Sequence, residues 1–247
     1  MRRRFVTDLH VHSVLSPCAA VEMTPRNIIW HAAKYEIDII AIADHNAGAN
    51  VRAALDAAQG TAITVVPAME VETKEEVHLL ALFGQLEELL IWEKIVRAHL
   101  PEKLNDTDKF GVQFVVDAED NLVKVEDRLL LTSISLGVEE VAEQVARLGG
   151  ICIASHADRP SYSIVSQLGF IPPDIKLAAL EVSGRLGREQ TLQKFPVLEN
   201  WPLIVSSDAH SIDRLVNSPK TAFWLEEPTF VQLRQALKDG TISWIKA

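Results

Sequence analysis

Seven short apolar runs, each followed by a turn or a helical pattern, constrain this chain more than any other feature. They cover residues 5–9, 37–43, 63–69, 77–83, 150–154, 178–182 and 203–206. They are rich in Ile, Val, Leu and Ala with little polar alternation, as parallel strands covered on both faces are. Helical patterns fill the intervals at 24–35, 50–59, 86–99, 138–148 and 228–238. The first opens on Thr24-Pro25, an N-cap residue followed by proline at the first helical position. The order β-α-β-α predicts an α/β fold built on a parallel sheet or barrel. At 247 residues the chain has the length of one such barrel.

Residues 100–136 break this rhythm. They are polar and charged, and within them 112–116 and 122–125 flank the loop Asp117-Ala118-Glu119-Asp120-Asn121. That pattern predicts a β-hairpin inside an insertion that forms a lid or rim, within a single domain spanning 1–247.

Polar residues recur at one place in the pattern. His10 and His12 follow the first strand, Asp44 and His45 the second, and Glu70 the third. His156 follows the fifth, and Asp208 and His210 follow the seventh. Residues two apart on a strand face the same side, so His10 and His12 address one point. In parallel α/β barrels the C-terminal strand ends are where active sites assemble. His78 stands inside Val77-His78-Leu79-Leu80 and needs a buried partner or a role in the site. Six of the eight histidines therefore fall at one predicted end, while His31 and His99 lie in helical segments.

Each residue alone has an ordinary reading. A histidine in an apolar strand is usually a hydrogen-bonded core residue, Asp44-His45 could be a turn, and Asp208-Ala209-His210 could cap a helix. Together, imidazole and carboxylate donors suit Zn, Mn or Fe. A bridging carboxylate such as Glu70 could hold two cations about 3.5–4 Å apart, a pair able to deprotonate water near neutral pH.

Composition narrows the alternatives. The hydrophobic content of 48% supports a sizeable core. The net charge of −10 disfavours a basic nucleic-acid-binding surface and makes stable nucleic-acid binding an unfavoured expectation. It leaves a phosphate substrate open, because bound cations reverse the local field. Cys18 and Cys152 are the two cysteines, too few for a disulfide framework. There is neither a signal core nor an apolar stretch long enough to span a bilayer, so the expectation is a cytoplasmic protein without a membrane partner.

The ordered set His10-x-His12, Asp44-His45, Glu70, His78, His156 and Asp208-x-His210 resembles the PHP (polymerase and histidinol phosphatase) family from Asp8 to His210. The resemblance implies a distorted (β/α)7 TIM-like barrel with two to three divalent metal ions at the strand ends. It implies hydrolysis of a small phosphorylated substrate, a phosphomonoester or nucleotide, by a metal-bridging hydroxide. Carried over, the pattern gives His10, His12, Glu70 and Asp208 to a first metal. Glu70, His78 and His156 go to a second, and His45 and His210 to a third.

The loop after the first strand lacks the aspartate the family usually supplies to that third site. Cys18 or Glu22 is the nearest substitute, and a thiolate there would favour Zn. Asp8 or Asp44 could fix an imidazole tautomer. Arg159 is placed to grip a phosphate, as Arg185 and Arg188 could be, although a surface salt bridge suits those two as well. His210 or a metal-bound water would protonate the leaving group. The alternatives are a nuclease acting on single-stranded ends, a non-catalytic or polymerase-associated metal-binding module, and an amidohydrolase-type enzyme.

Overall fold

Nine strands join edge to edge into one sheet that curls almost into a closed barrel. The computed structural model describes residues 1–245. In chain order the elements are β1 (Arg3–Val11), α1 (Pro25–Lys34), β2 (Ile39–Ile42), α2 (Val51–Ala57), β3 (Thr64–Glu72), β4 (His78–Leu82), α3 (Leu86–His99) and α4 (Thr107–Phe110). There follow the hairpin strands β5 (Phe114–Val116) and β6 (Leu122–Val125), then α5 (Val138–Arg147), β7 (Ile151–Ala154), α6 (Ile164–Leu168) and β8 (Ala179–Val182). The chain continues through α7 (Arg188–Lys194), β9 (Leu203–Val205), α8 (Ile212–Asn217), β10 (Lys220–Leu225), α9 (Phe230–Asp239) and β11 (Ile242–Ile245). The sheet order is β11-β10-β1-β2-β3-β4-β7-β8-β9, and β5-β6 form a separate pair. All seven expected strands and the hairpin are present; β10 and β11 are additional.

The expectation of uniformly parallel strands fails at β4. β4 runs antiparallel to both β3 and β7, with Glu72 opposite His78. Only five residues separate β3 from β4, enough for a hairpin and too few for the dozen or more that a parallel crossover requires. His78 is therefore the first residue of its strand, and the reversal brings it to the end where β3 finishes.

The barrel closes through side chains where β9 meets β10. The Thr221 hydroxyl donates to the Val205 carbonyl and accepts from the Val205 N–H, both at 2.8 Å. The Trp244 indole N–H donates to the Leu203 carbonyl at 3.0 Å.

Two apolar clusters divide the core. One lies between sheet and helices, with Ile28 and Ile29 of α1, Trp92 of α3 and Val141 of α5 against Ile40, Ile42, Leu79 and Ala81. The other lies inside the barrel and takes alternate residues: Phe5 and Leu9, Ile39 and Ala41, Val66 and Ala68, Leu80 and Leu82, Ile151 and Ile153. Leu233, Ala236 and Leu237 of α9 join this inner cluster. Along the same inward faces the apolar residues give way to Glu70 after Ala68, to His78 before Leu80, and to Glu181 after Ala179. The top layer of the barrel is thus polar while those below are dry.

β1 reaches that layer by an irregularity. Its register against β2 shifts between Asp8 and Val11, which pair with Ile40 and Ile42. One extra residue at this point changes which side chains face inward, as β-bulges do near active sites. Leu9 belongs to the inner cluster and Val11 to the outer one, so after the bulge His10 and His12 turn toward the interior.

Candidate metal centre

The turns that follow β2, β7 and β9 carry Asn46, His156 and Asp208 at φ values of 50°, 32° and 48°. Non-glycine residues in the left-handed region are uncommon, and strain of this kind gathers at functional sites. Here it lets short turns aim side chains back over the barrel mouth.

Six imidazoles meet there. Ring centroids run from His10 to His12 at 5.1 Å, His12 to His45 at 4.5 Å, His45 to His78 at 5.4 Å and His78 to His156 at 5.3 Å. The circuit returns from His156 to His10 at 6.2 Å, and His210 stacks on His12 at 4.1 Å. Glu70 stands inside it. Its Oε1 is 3.1 Å from His10 Nε2, 3.1 Å from His78 Nδ1 and 3.6 Å from His156 Nε2. Its Oε2 is 3.1 Å from His45 Nδ1 and 3.4 Å from His12 Nε2. Asp208 Oδ1 approaches Nε2 of His10 and of His12 at 3.4 and 3.3 Å. Three sets of ligand atoms lie close enough to share a cation: His10, His12 and Asp208; His45, Glu70 and His78; His12, His45 and His210.

The hydrogen bonds set the tautomers of the opening pair. His10 Nδ1 is 3.1 Å from both carboxylate oxygens of Glu181, so it donates. The Ser16 hydroxyl donates to Asp44 Oδ1 at 2.7 Å and accepts from His12 Nδ1 at 2.9 Å. In the neutral rings both Nδ1 atoms thus carry the proton, and the two Nε2 atoms face each other at 3.1 Å with their lone pairs. Lone pairs at that separation repel unless a cation lies between them. Glu70 Oε1, His78 Nδ1 and His156 Nδ1 are buried without a hydrogen-bond partner. This donor set fits divalent metal ions of the Zn, Mn or Fe type.

The electrostatics describe a cluster built around negative charge. Burial resists protonation of His10, but Glu70, Glu181 and Asp208 outweigh it and hold the ring's pKa well above the ordinary value. Burial likewise opposes charge on His78, yet Glu70 and Glu72 lift its pKa to about 9. For His45 and His210 burial wins, aided by the neighbouring His12, and their pKa values fall to about 4 and about 3. The carboxyl of Glu70 is resisted by burial but held well below its usual range by His78 and His10.

The remaining candidates fall in different places. Arg159 sits at the rim and pairs with Asp208 Oδ2 at 2.5 Å. Asp44 touches no imidazole; it accepts from the Ser13 N–H at 2.7 Å, the Ser13 hydroxyl at 2.6 Å and Ser16, which links it to His12 at one remove. Asp8 accepts from the Ser207 N–H at 3.0 Å and faces Lys220 Nζ at 3.3 Å, so it fixes the strand end and no imidazole. Cys18 falls outside the three ligand sets. It is exposed, yet crowding around its sulfur, then Glu70, Asp44 and Asp208, push its thiol up to about 12. Glu22 is exposed and lines an outer groove with Arg26 and Trp30. Arg185 and Arg188 line a groove of about 780 Å³ beside Trp244 and Ile245 whose lining includes none of the histidines.

Glu181, Glu72 and Ser16 were not foreseen. Glu72 lies 3.6 Å from His78 Nε2 and accepts from the Ser133 hydroxyl at 2.5 Å. A fully buried carboxylate inside Ala179-Leu180-Glu181-Val182 was the available sign, because a charge in an apolar strand needs a partner.

No family model and no curated protein matches this chain. Solved structures do. Endonuclease Q of Pyrococcus furiosus, described as a lesion-specific endonuclease, aligns over 96% of this chain and 56% of its own at 20% identity and a TM-score of 0.69. An endonuclease Q complex with a 27-mer duplex bearing an abasic lesion aligns over 96% and 57%, at 20% identity and 0.70. The chain thus spans little more than half the length of these endonucleases. A Bifidobacterium adolescentis protein, described by inference as a metal-dependent phosphoesterase, aligns over 94% and 95% of the two chains at 20% identity and 0.59. A two-domain Bacteroides vulgatus protein with a predicted PHP-like metal-dependent phosphoesterase region aligns over 99% and 65% at 15% and 0.60. This chain has the α/β barrel fold of the PHP-like metal-dependent phosphoesterases and of endonuclease Q.

Proposed function

We propose that the chain belongs to the PHP family and is a metal-dependent hydrolase of phosphoric esters. The observation that carries this reading is the approach of five imidazoles to one buried carboxylate, Glu70. An ionised carboxylate offers about four acceptor positions. Five ring nitrogens within 3.6 Å overfill it unless cations share the space. His10, His12, Glu70 and Asp208 would hold one ion; Glu70, His78 and His156 a second; His12, His45 and His210 lie close enough for a third, to which neither Cys18 nor Glu22 is brought. Ions so held would lower the pKa of water and polarise a phosphoryl group.

The chain's own residues do the rest. Glu181 and, through Ser16, Asp44 keep the Nε2 atoms of His10 and His12 free to ligate. Arg159, 28% exposed, presents a planar guanidinium to a phosphate entering the cleft. His210, 25% exposed, is the imidazole best reached by a leaving group that needs a proton. We take the insertion as part of one domain. Asn46 donates to the carbonyls of Leu130 and Thr132 at 2.8 Å, which ties the insertion's return limb to the turn that carries His45. The two free cysteines fit a reducing compartment such as the cytoplasm. Among the described residues no helix is long and apolar enough to cross a membrane.

A small phosphomonoester or nucleotide is the favoured substrate, because a net charge of −10 suits a small ligand better than a polyanion. The second reading is a nuclease. It is favoured by the shared fold with endonuclease Q, and that likeness weighs against dismissing DNA on charge alone. The test is metal analysis of the purified protein with a panel of phosphomonoesters, nucleotides, single-stranded DNA and abasic duplex. Assays run under Mn, Zn and Fe beside His12→Ala and Asp208→Ala. Turnover confined to the monoesters supports the first reading and DNA cleavage the second. No turnover of any phosphoester under any metal ends both.

A further inference from the structure

Glu181 is the one charged side chain of β8 and is fully buried within it. Its carboxylate does two things at once. Both oxygens lie 3.1 Å from His10 Nδ1. Oε1 also accepts the backbone N–H of His156 at 3.2 Å. Its main chain adds a third tie, the Glu181 carbonyl accepting from the Ala157 N–H at 2.7 Å. His156 is the residue held at φ 32°, so the turn that Glu181 grips is strained.

We propose that Glu181 is a positioning residue that sets the metal-ligating geometry of His10 and His156 together, and so couples two positions of the metal centre. The inference rests on the metal-centre reading above. The physical argument has two parts. A carboxylate cannot donate, so it forces the proton of His10 onto Nδ1 and leaves Nε2 to ligate. The same oxygen offsets the strain of the His156 turn with an ionic acceptor for its N–H, a hydrogen bond stronger than a neutral one. A shorter carboxylate cannot reach both partners. An amide of equal length keeps one acceptor oxygen but can turn an N–H toward His10 Nδ1, which favours the tautomer unable to ligate through Nε2. Ser16 serves His12 in a comparable way and also accepts the His45 N–H at 3.3 Å, but through a neutral hydroxyl; Glu181 meets both of its partners with a carboxylate.

The experiment measures metal binding, not turnover. Apo full-length protein is titrated with Co(II) and with Zn(II), following the visible Co(II) spectrum and the metal retained after gel filtration. Wild type is compared with Glu181→Gln and Glu181→Asp. Both variants are expected to bind about 10–100-fold more weakly, as loss of such an outer hydrogen bond does. They are also expected to retain fewer metal equivalents at more than one position. Affinity within twofold of wild type with unchanged stoichiometry overturns the proposal. Should neither variant fold, the ¹⁵N imidazole spectrum of the Zn-loaded wild type decides instead: His10 protonated at Nδ1 and ligating through Nε2 supports it, and the reverse overturns it. Wild type that binds metal but hydrolyses no phosphoester would end the enzymatic reading and leave this one standing.

Discussion

The barrel mouth and the insertion handle charge in opposite ways. At the mouth, Glu70, Glu181, His10 and His12 are almost fully buried and crowd one another at hydrogen-bond distances. In the insertion, Glu126 accepts from Arg97 at 3.2 and 3.3 Å and from Lys124 at 3.0 Å, and both cations are half exposed. Water reaches the two cations of the second set, although Glu126 itself is buried, so each pair there is worth less than a fully buried one. The first set is cut off from bulk solvent, and the metal ions proposed above would offset the cost of burying it. The lesson is that a buried cluster of excess ligands marks a site, whereas an equally charged surface marks only solubility.

The strongest way to break this contrast is to remove its centre. Glu70→Ala should lower metal affinity and phosphoesterase activity by more than about 100-fold, beyond the range for outer-shell partners, since Glu70 meets five rings directly. Metal analysis and initial rates check it. If Glu70→Ala keeps its metal, the mouth is only a polar core.

Stripping the metal should come next in size. A ligand present at 100 times its Kd contributes about 2.7 kcal/mol, so chelation should lower the unfolding temperature by several degrees. Calorimetry with and without chelator reads it, and no change would mean that nothing offsets the buried charge.

Asn50 tests the seam between the two regions. Its amide donates to the Ser13 hydroxyl at 2.9 Å and the Phe114 carbonyl at 3.0 Å, and its oxygen accepts from the Val116 N–H at 3.0 Å. Asn50→Ala should destabilise the fold by about 1–3 kcal/mol, because buried partners lose their bonds. Urea unfolding checks this.

The half-exposed pair of Arg97 and Glu126 should matter least. Arg97→Ala should cost no more than about 1 kcal/mol by the same measurement. Glu126 adds a pH signature. Burial opposes its charge, but Arg97 and Lys124 prevail and lower its pKa from the ordinary 4.5. Its contribution is then complete above that ordinary value and is lost as pH falls through the depressed one. With the intrinsic exchange rate at each pH divided out, protection of the β5–β6 hairpin amides should fall modestly at pH 3 relative to pH 7, and less so in Arg97→Ala. An equal response in both would remove Glu126 from the account.

Much of this molecule was legible in its sequence because the relevant signals are local. The seven apolar runs became strands, residues 86–99 became α3 with the predicted bounds, and Thr24 caps α1 by accepting from the Asn27 N–H. The histidines could be grouped because strand ends in such a barrel converge. The two C-terminal strands escaped notice. β10 alternates with polar and bulky residues, Lys220, Thr221 and Trp224, and reads as helix flank until β1 and β11 pair with it.

By itself the sequence determined which side chains were available at the mouth and that parallel strands would carry most of them there. Side-chain chemistry and strand periodicity are properties of neighbouring residues. The tertiary structure alone decided the rest: the bulge that turns His10 and His12 inward, the reversal of β4 that delivers His78, and the choice of Glu181 over Asp8 as partner to an imidazole. Each depends on register between segments up to 171 positions apart, as His10 and Glu181 are, and register is set by packing across the barrel rather than by either segment alone.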